Sequence, residues 1–280
     1  MRSHMLDDER NASPADLHLM RNDGTGFVPL RWRAFGRPDD LELNVGAAAR
    51  ARVVTELLAR CRQDEQADLD ARRAEARRLT LSGRIGGLAV IVARTVSSSG
   101  ITVELRCPKQ NCGASLQVAL SLASLLELSQ HAERQRSIAV PLPEMESVHV
   151  RRPTGDDQQA WQSRPYETTE RAERAMVESL LAQASPLSRT MLAAIDAALE
   201  DADPLTCFRV ATACPTCGEE ADHAIDLESL MLARLHRAQR ILLHDIHRLA
   251  TRYGWSEDTI AALPSWRRQE YLAFIDREEA

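Results

Sequence analysis

Lysine is nearly absent from this chain. Of 35 basic residues only Lys109 is not arginine, a bias that points to a GC-rich genome rather than to guanidinium chemistry. Aromatic side chains make up only 4% of the sequence, so each tryptophan and tyrosine carries weight in any reading. Long apolar runs are missing too. The longest, Gly86-Gly-Leu-Ala-Val-Ile-Val-Ala93, falls far short of the roughly 18 residues a membrane span needs and has the length of one buried strand. The first residues show no charged-then-apolar leader pattern. A net charge of −6 has the wrong sign for a chain that binds phosphate backbones or anionic lipid by bulk charge. Nor is there a P-loop, a G-x-G-x-x-G turn or a G-x-S-x-G elbow, which removes the common nucleotide cradles and the usual strand-to-helix serine nucleophile. With 44% hydrophobic residues in 280, the chain can bury one large or two small cores. The expectation is a soluble protein, cytoplasmic or assembled into a particle.

Two cysteine motifs stand out against this background: Cys107-Pro-Lys-Gln-Asn-Cys112-Gly and Cys214-Pro-Thr-Cys217-Gly. They share one local frame. A β-prone run leads into each (Ile101–Leu105; Cys207–Ala211), an alternating run leads out (Leu116–Leu122; Ala221–Leu227), and an apolar helix follows. Four thiolates from two such turns make a tetrahedral zinc site, with proline and glycine permitting the tight turn that aims backbone N–H groups at sulfur. We therefore expect one structural zinc ion on Cys107, Cys112, Cys214 and Cys217, in a ribbon split between two distant stretches of chain. Free thiols and disulfides are the competing readings; disulfides require an oxidising compartment, to which nothing here points. Cys61 falls in a helical pattern and Cys207 in a strand pattern, where each reads as a small buried apolar residue. His223 could substitute as a ligand, but its position in the alternation reads as an exposed strand residue.

The rest of the chain divides into three parts. Residues 1–43 read as an extended, partly disordered arm carrying Phe27, Trp32 and Phe35, able to dock by its aromatics. Residues 44–228 form the α+β core. Asn44 reads as the cap of a helix to about Arg62, and the polar stretch to Arg78 as a solvated helix. Strands at about 85–94 and 101–106 form a hairpin into the first knuckle. A helix at 123–133, a strand at 147–151, a helix with Trp161, and helices at 166–184 and 187–200 fill the space between the knuckles. Residues 229–280 form a helical module. Asp226 caps a long helix whose apolar stripe runs Leu227, Met231, Leu235, Ala238, Leu242, Ile246, Leu249 and Tyr253; Gly254 ends it, Ser256 caps a short helix, and Pro264 and Ser265 open the last one. The expected class is α+β: a small antiparallel zinc-ribbon sheet surrounded by helices.

Two other groups of side chains have metal-ligand chemistry. His236, Arg240, His244 and His247 line the polar side of the long helix; His244 and His247 have ligand spacing but no third partner, so a solvated face is the simpler reading. His131-Ala-Glu133 followed by Cys214-Pro-Thr-Cys217 echoes the H-x-E…P-C-x-x-C pattern of zinc deaminases. Ala213 stands where that pattern has proline, the halves are far apart, and Cys107 and Cys112 would be left unexplained. Four cysteines close the zinc shell, so the site is expected to be structural and the chain not an enzyme.

The C-terminal residues carry a resemblance. His244-Asp-Ile-His-Arg-Leu-Ala-Thr-Arg-Tyr253, Gly254-Trp-Ser-Glu257, Ile260-Ala-Ala-Leu-Pro264 and Arg267-Arg-Gln-Glu-Tyr-Leu272 resemble the tail of the T-even-type baseplate hub subunit and hub assembly chaperone family of contractile phage tails and phage-tail-like injection systems. Arg151-Arg-Pro-Thr-Gly-Asp156 and the Cys-Pro…Cys-Gly knuckles are similar to that group as well. Membership would imply a non-catalytic baseplate component whose partners are other baseplate, hub or spike proteins, or else a chaperone that leaves after assembly. Trp255, Trp266 and Tyr271 are then the aromatic anchors, and Arg267 and Arg268 the cations that meet partner carboxylates. A zinc-ribbon adaptor for nucleic acid is the other class; Lys109 alone against Glu219 and Glu220 at the knuckles speaks against it.

Overall fold

The computed structural model describes residues 18–22, 27–63, 67–142, 145–183 and 187–279. Residues 1–16, expected to be polar and disordered, lie outside these. The chain is α+β: among the described residues there are ten α-helices and four separate two-stranded antiparallel sheets.

The first hairpin, β1 (Leu19–Asn22) and β2 (Phe27–Leu30), leads through a short 3-10 turn (Pro38–Glu42) to helix α1 (Arg50–Arg60). Trp32 and Phe35 do not project from an arm. They are buried in the chain's own core with Leu19 and Leu30, and the Trp32 Nε1–H donates to Leu58 O at 2.9 Å. Asp40 pins this segment: it is fully buried and accepts from the Arg33 fork and from the backbone N–H groups of Gly36 and Arg37. Asn44 does not cap α1, which starts six residues later after Ala49. Helix α2 (Leu69–Arg78) is the polar stretch expected to be solvated. Asp68 caps it, but it lies against α1, with Ala76 buried and Arg73 forked onto Glu56 at 2.7 and 3.0 Å.

The largest departure from expectation is at the core's centre. Residues 85–94 form no strand; they belong to helix α3 (Leu81–Val96). Every residue from Ser82 to Ala93 is buried, so no polar face marks a helical period and the run reads like an inner strand. The overlooked signal is Thr80, whose side chain accepts from Gly83 N as an N-cap. Helix α3 packs against α1, α4 (Leu122–Arg134) and α8 (Leu227–Tyr253). Its glycines allow this. A Cβ on Gly86 would stand 2.0 Å from Ser129 Oγ on α4, and one on Gly87 2.6 Å from Leu58 on α1. Gly86→Ala should raise intrinsic helix propensity by about 1 kcal/mol, yet here it is expected to destabilise the protein by about 1–3 kcal/mol through overpacking. The urea midpoint should fall, and Ser129→Gly in the same chain should recover part of the loss. Unchanged stability in the single variant would mean that α3 and α4 separate at no cost.

The hairpin that leads to the first knuckle pairs β3 (Gly100–Arg106) with β4 (Ser115–Ser121), on either side of Cys107–Cys112. Next come β5 (Ser137–Leu142) paired with β6 (Met145–Arg151), α5 (Gly155–Ser163), α6 (Thr169–Leu180) and α7 (Arg189–Ala202). Ile138, Val140, Val150, Leu180, Met191 and Ile195 give this insertion its own small core. The second knuckle hairpin is β7 (Arg209–Ala213) with β8 (Glu220–Ala224). Helix α8 then bridges two cores. Leu227, Met231 and Leu235 enter the main one, while Leu242, Ile246 and Leu249 form the third with α9 (Glu257–Ala262) and α10 (Ser265–Glu279). Gln239, buried at the junction, donates to Leu43 O and accepts from Val45 N. The caps at Asp226 and Ser256 and the left-handed Gly254 (φ 67°) are as the sequence indicates.

Candidate metal centre

The two knuckles fold alike although their spacings differ. The N–H of each first cysteine closes the turn on the carbonyl two residues beyond its second cysteine: Cys107 N to Ala114 O at 2.9 Å, Cys214 N to Glu219 O at 2.8 Å. The residue after each second cysteine, Gly113 (φ 60°) or Gly218 (φ 71°), is left-handed with open space around it, so conformation and not crowding demands glycine. Strand β4 begins at Ser115 and β8 at Glu220, each the third residue after its second cysteine. Ser121 and Asp226 cap the helices that follow, and α4 and α8 open on Leu122 and Leu227, both buried. The unit of strand, knuckle, strand and capped helix is therefore repeated.

The two hairpins share no ladder, and their tips meet at the cysteines. The four Sγ atoms lie within 4.8 Å of one another, with Cys107–Cys217 at 3.7 Å and Cys112–Cys214 at 3.8 Å. A disulfide would need about 2.05 Å. Four sulfurs about 2.3 Å from one central ion stand about 3.8 Å apart at the corners of a tetrahedron, and each close pair takes one cysteine from either knuckle. Cys107 and Cys214 are buried, Cys112 and Cys217 half-buried, and Lys109 pairs with Glu219 at 3.4 Å across the outside of the two turns. The cluster can hold one metal ion.

The sulfurs also share charge unequally. Burial works against ionising Cys214, but the N–H groups of Thr216 and Cys217 and the neighbouring thiols outweigh it and bring its pKa down to about 6. At Cys107 the N–H of Lys109 favours the thiolate, yet burial and the three other sulfurs push it up to about 12. Four crowded sulfurs do not ionise together unless a cation sits among them, the chemistry of a metal-thiolate centre.

Cys61 is buried as expected, with its thiol pushed up to about 12 by burial. Cys207 is not. It is exposed in a turn ahead of β7, because the strand starts two residues later than the β-prone run suggests. His223 is half-buried on β8 opposite Val210, outside the cluster. Among the described residues the four cysteines are the only group of three or more metal-ligating side chains close enough to share an ion. His131 is exposed and Glu133 is fully buried, its Oε1 accepting from Thr80 N at 2.6 Å and Thr80 Oγ1 at 2.7 Å, so neither reaches the sulfurs.

In the C-terminal module Trp255 is half-buried, stacked on Tyr253 (centroids 4.9 Å apart) and edge-on to Tyr271 (5.0 Å). Arg267 lies over the Tyr271 ring at 5.6 Å, and Arg277 over Phe274 at 4.9 Å. Trp266 is 68% exposed and Phe274 45%. Arg268, expected to face a partner, instead donates to Leu263 O and Ala261 O at the end of α9. The reading from sequence missed Phe274, which lies one helical turn beyond Tyr271 and touches it edge-on at 6.4 Å.

It also missed a buried polar network around the start of α3. Arg84 is fully buried, donating to Thr55 Oγ1, Ala76 O and Ala51 O. Arg152, equally buried, donates to Gln135 O and Ala202 O and lies 3.5 Å from Asp203, which accepts from Ser82 Oγ. Gly155 is forced: a Cβ there would stand 2.3 Å from Arg84 Nη1. Thr154 and Asp157 form a capping box for α5, and Arg151 forks onto Asp157. The Arg-Arg-Pro-Thr-Gly-Asp stretch thus seats the start of α5 against α1 and α2.

Comparison with protein-family models, with curated proteins and with solved structures finds no match. What the chain's own geometry defines is an α+β protein with a four-cysteine centre able to hold one metal ion. No helix among the described residues is long and apolar enough to cross a membrane.

Proposed function

We propose that this protein is a structural component of the baseplate of a contractile phage tail or phage-tail-like injection system. In this reading one zinc ion on Cys107, Cys112, Cys214 and Cys217 staples the two knuckle hairpins, and the C-terminal module docks on neighbouring baseplate or hub proteins. The observation that carries it is the surface of that module. Residues 244–272, which bear the family resemblance, build a separate small core, and that core presents Trp266 and Phe274 to solvent beside Arg267 and Arg277. Exposed aromatics with adjoining arginines on a rigid support are the side chains that dominate protein interfaces. The closed cysteine shell leaves no open coordination position, which favours a structural ion over a catalytic one.

Trp266→Ala with Phe274→Ala should leave the thermal midpoint within about 2 °C, since exposed substitutions rarely cost more than about 0.5 kcal/mol. The same chain should fail to enter assembled particles purified from the producing cells. Mass spectrometry of wild-type particles should find the protein at fixed stoichiometry. Absence from finished particles that nevertheless require it for assembly would make it the hub assembly chaperone instead. Purified protein with zinc well below one equivalent would sink the zinc assignment.

A further inference from the structure

Outside the cysteine centre and the aromatic surface, helix α8 carries a second, largely exposed face, on which His236 alone packs back against the chain, at Gly46. Ala233, His236, Arg237, Arg240, Ile241 and His244 line this open face. From Arg234 to Arg248 the helix has four arginines, three histidines and one acid, Asp245, which is buried. In a chain of net charge −6 this is a local excess of positive charge. Arg234 is occupied by Thr102 O and Arg248 by Asp276. Arg237 and Arg240 are exposed, and no hydrogen bond or ion pair ties either of them among the described residues. Beside them Ile241 is 52% exposed, an apolar side chain in the middle of a cationic strip.

We infer that this face of α8 binds an acidic amphipathic helix of another protein. Charge complementarity selects the sign of the partner. Ile241 and Ala233 require an apolar stripe on it, which a phosphate backbone does not offer. Arg237, Arg240 and His244 recur every three or four residues, one helical turn apart, so acids spaced i, i+4 on a helix lying alongside meet them in register. This is the packing of one helix along another, ridge against groove. The surface is distinct from Trp266 and Phe274, and it stands or falls independently of the baseplate reading.

The test uses the full chain and a fluorescent 18-residue peptide with leucines on one face and glutamates at i, i+4 on the flank. A peptide of the same composition in scrambled order and an 18-nucleotide single-stranded DNA serve as competitors. Wild-type protein should bind the patterned peptide, more weakly as salt rises, and at least about tenfold tighter than the scrambled one. Arg237→Glu with Arg240→Glu should weaken binding about tenfold or more, Ile241→Ser about threefold or more, and all variants should melt with the wild type. Equal affinity for patterned and scrambled peptides, or binding insensitive to the double variant, overturns the inference. DNA that binds tighter than the peptide also overturns it and makes the strip a nucleic-acid surface.

Discussion

A Cys214→Ser chain is expected to lose the β7–β8 hairpin while keeping its helical core. The packing sets the helical core apart from the metal staple. The main core draws on α1, α3, α4 and α8, whereas the cysteine cluster buries only Cys107, Leu116 and Cys214. The two hairpins differ in their support. Strands β3 and β4 send Ile101, Val103 and Leu120 into the main core, but β7 and β8 bury no residue fully and lay only Val210 against it, with Phe208 and Ile225 at their ends. A two-stranded hairpin with so little apolar cover is marginal in water. Structural zinc sites supply on the order of 10 kcal/mol to the peptide they fold, more than enough to hold it. In hydrogen exchange, the amides of 209–213 and 220–224 should lose protection within seconds in the variant, and in the wild type stripped by a strong chelator. Those of α3 should stay protected in both. Retained protection in β7 and β8 after both treatments would show that the cysteines bind nothing the fold needs, and collapse of α3 would restore the staple to the core.

Arg84→Ala is expected to cost about 3–5 kcal/mol, because buried acceptors on Ala51, Thr55 and Ala76 lose their donor at about 1–3 kcal/mol for each one left unsatisfied and a cavity opens beside them, out of a total stability of about 5–15 kcal/mol for a typical domain. Arg84 is unusual in having no carboxylate in contact. Burial brings its pKa down to about 10, with Glu228 and Asp156 offsetting part of that from a distance, so it stays charged at neutral pH. Its stabilisation comes from position. Ala76 O, 2.9 Å from Nη1, is among the last carbonyls of α2, the negative end of that helix. Truncation leaves that carbonyl without its donor and opens a cavity between α1, α2 and α5. Arg84→Lys should recover only a part, because an ammonium cannot span Ala51 O, Ala76 O and Thr55 as the fork does. Urea unfolding followed by circular dichroism measures both. A loss under 1 kcal/mol for the alanine variant would mean that water replaces the guanidinium freely.

The cysteine frames could be read along the chain because a knuckle is local. Cysteine, proline and glycine act within a few residues, so both turns and the helices after them lie where the spacing puts them, and the flanking strands start within two residues of it. The same holds for Asp226, Gly254 and Ser256, each of which satisfies or ends a helix through atoms three or four residues away. The misreadings have a common origin. Gly86–Ala93 was mistaken for a strand because burial on all sides erases the period that distinguishes helix from strand. Arg268 reads as a partner-facing cation because nothing nearby in sequence shows that the end of α9 needs a donor.

By itself, the sequence determined the class, the four sulfurs that can share an ion, and the caps and ends of the C-terminal helices, since these depend on neighbours a few residues apart. Only the tertiary structure decided that α3 is the buried axis, that Trp32 and Phe35 turn inward, that Arg84 and Arg152 are interior, and that Arg237, Ile241 and Trp266 remain outside. Those outcomes depend on which distant surfaces meet, and a side chain's character does not record what will be packed against it.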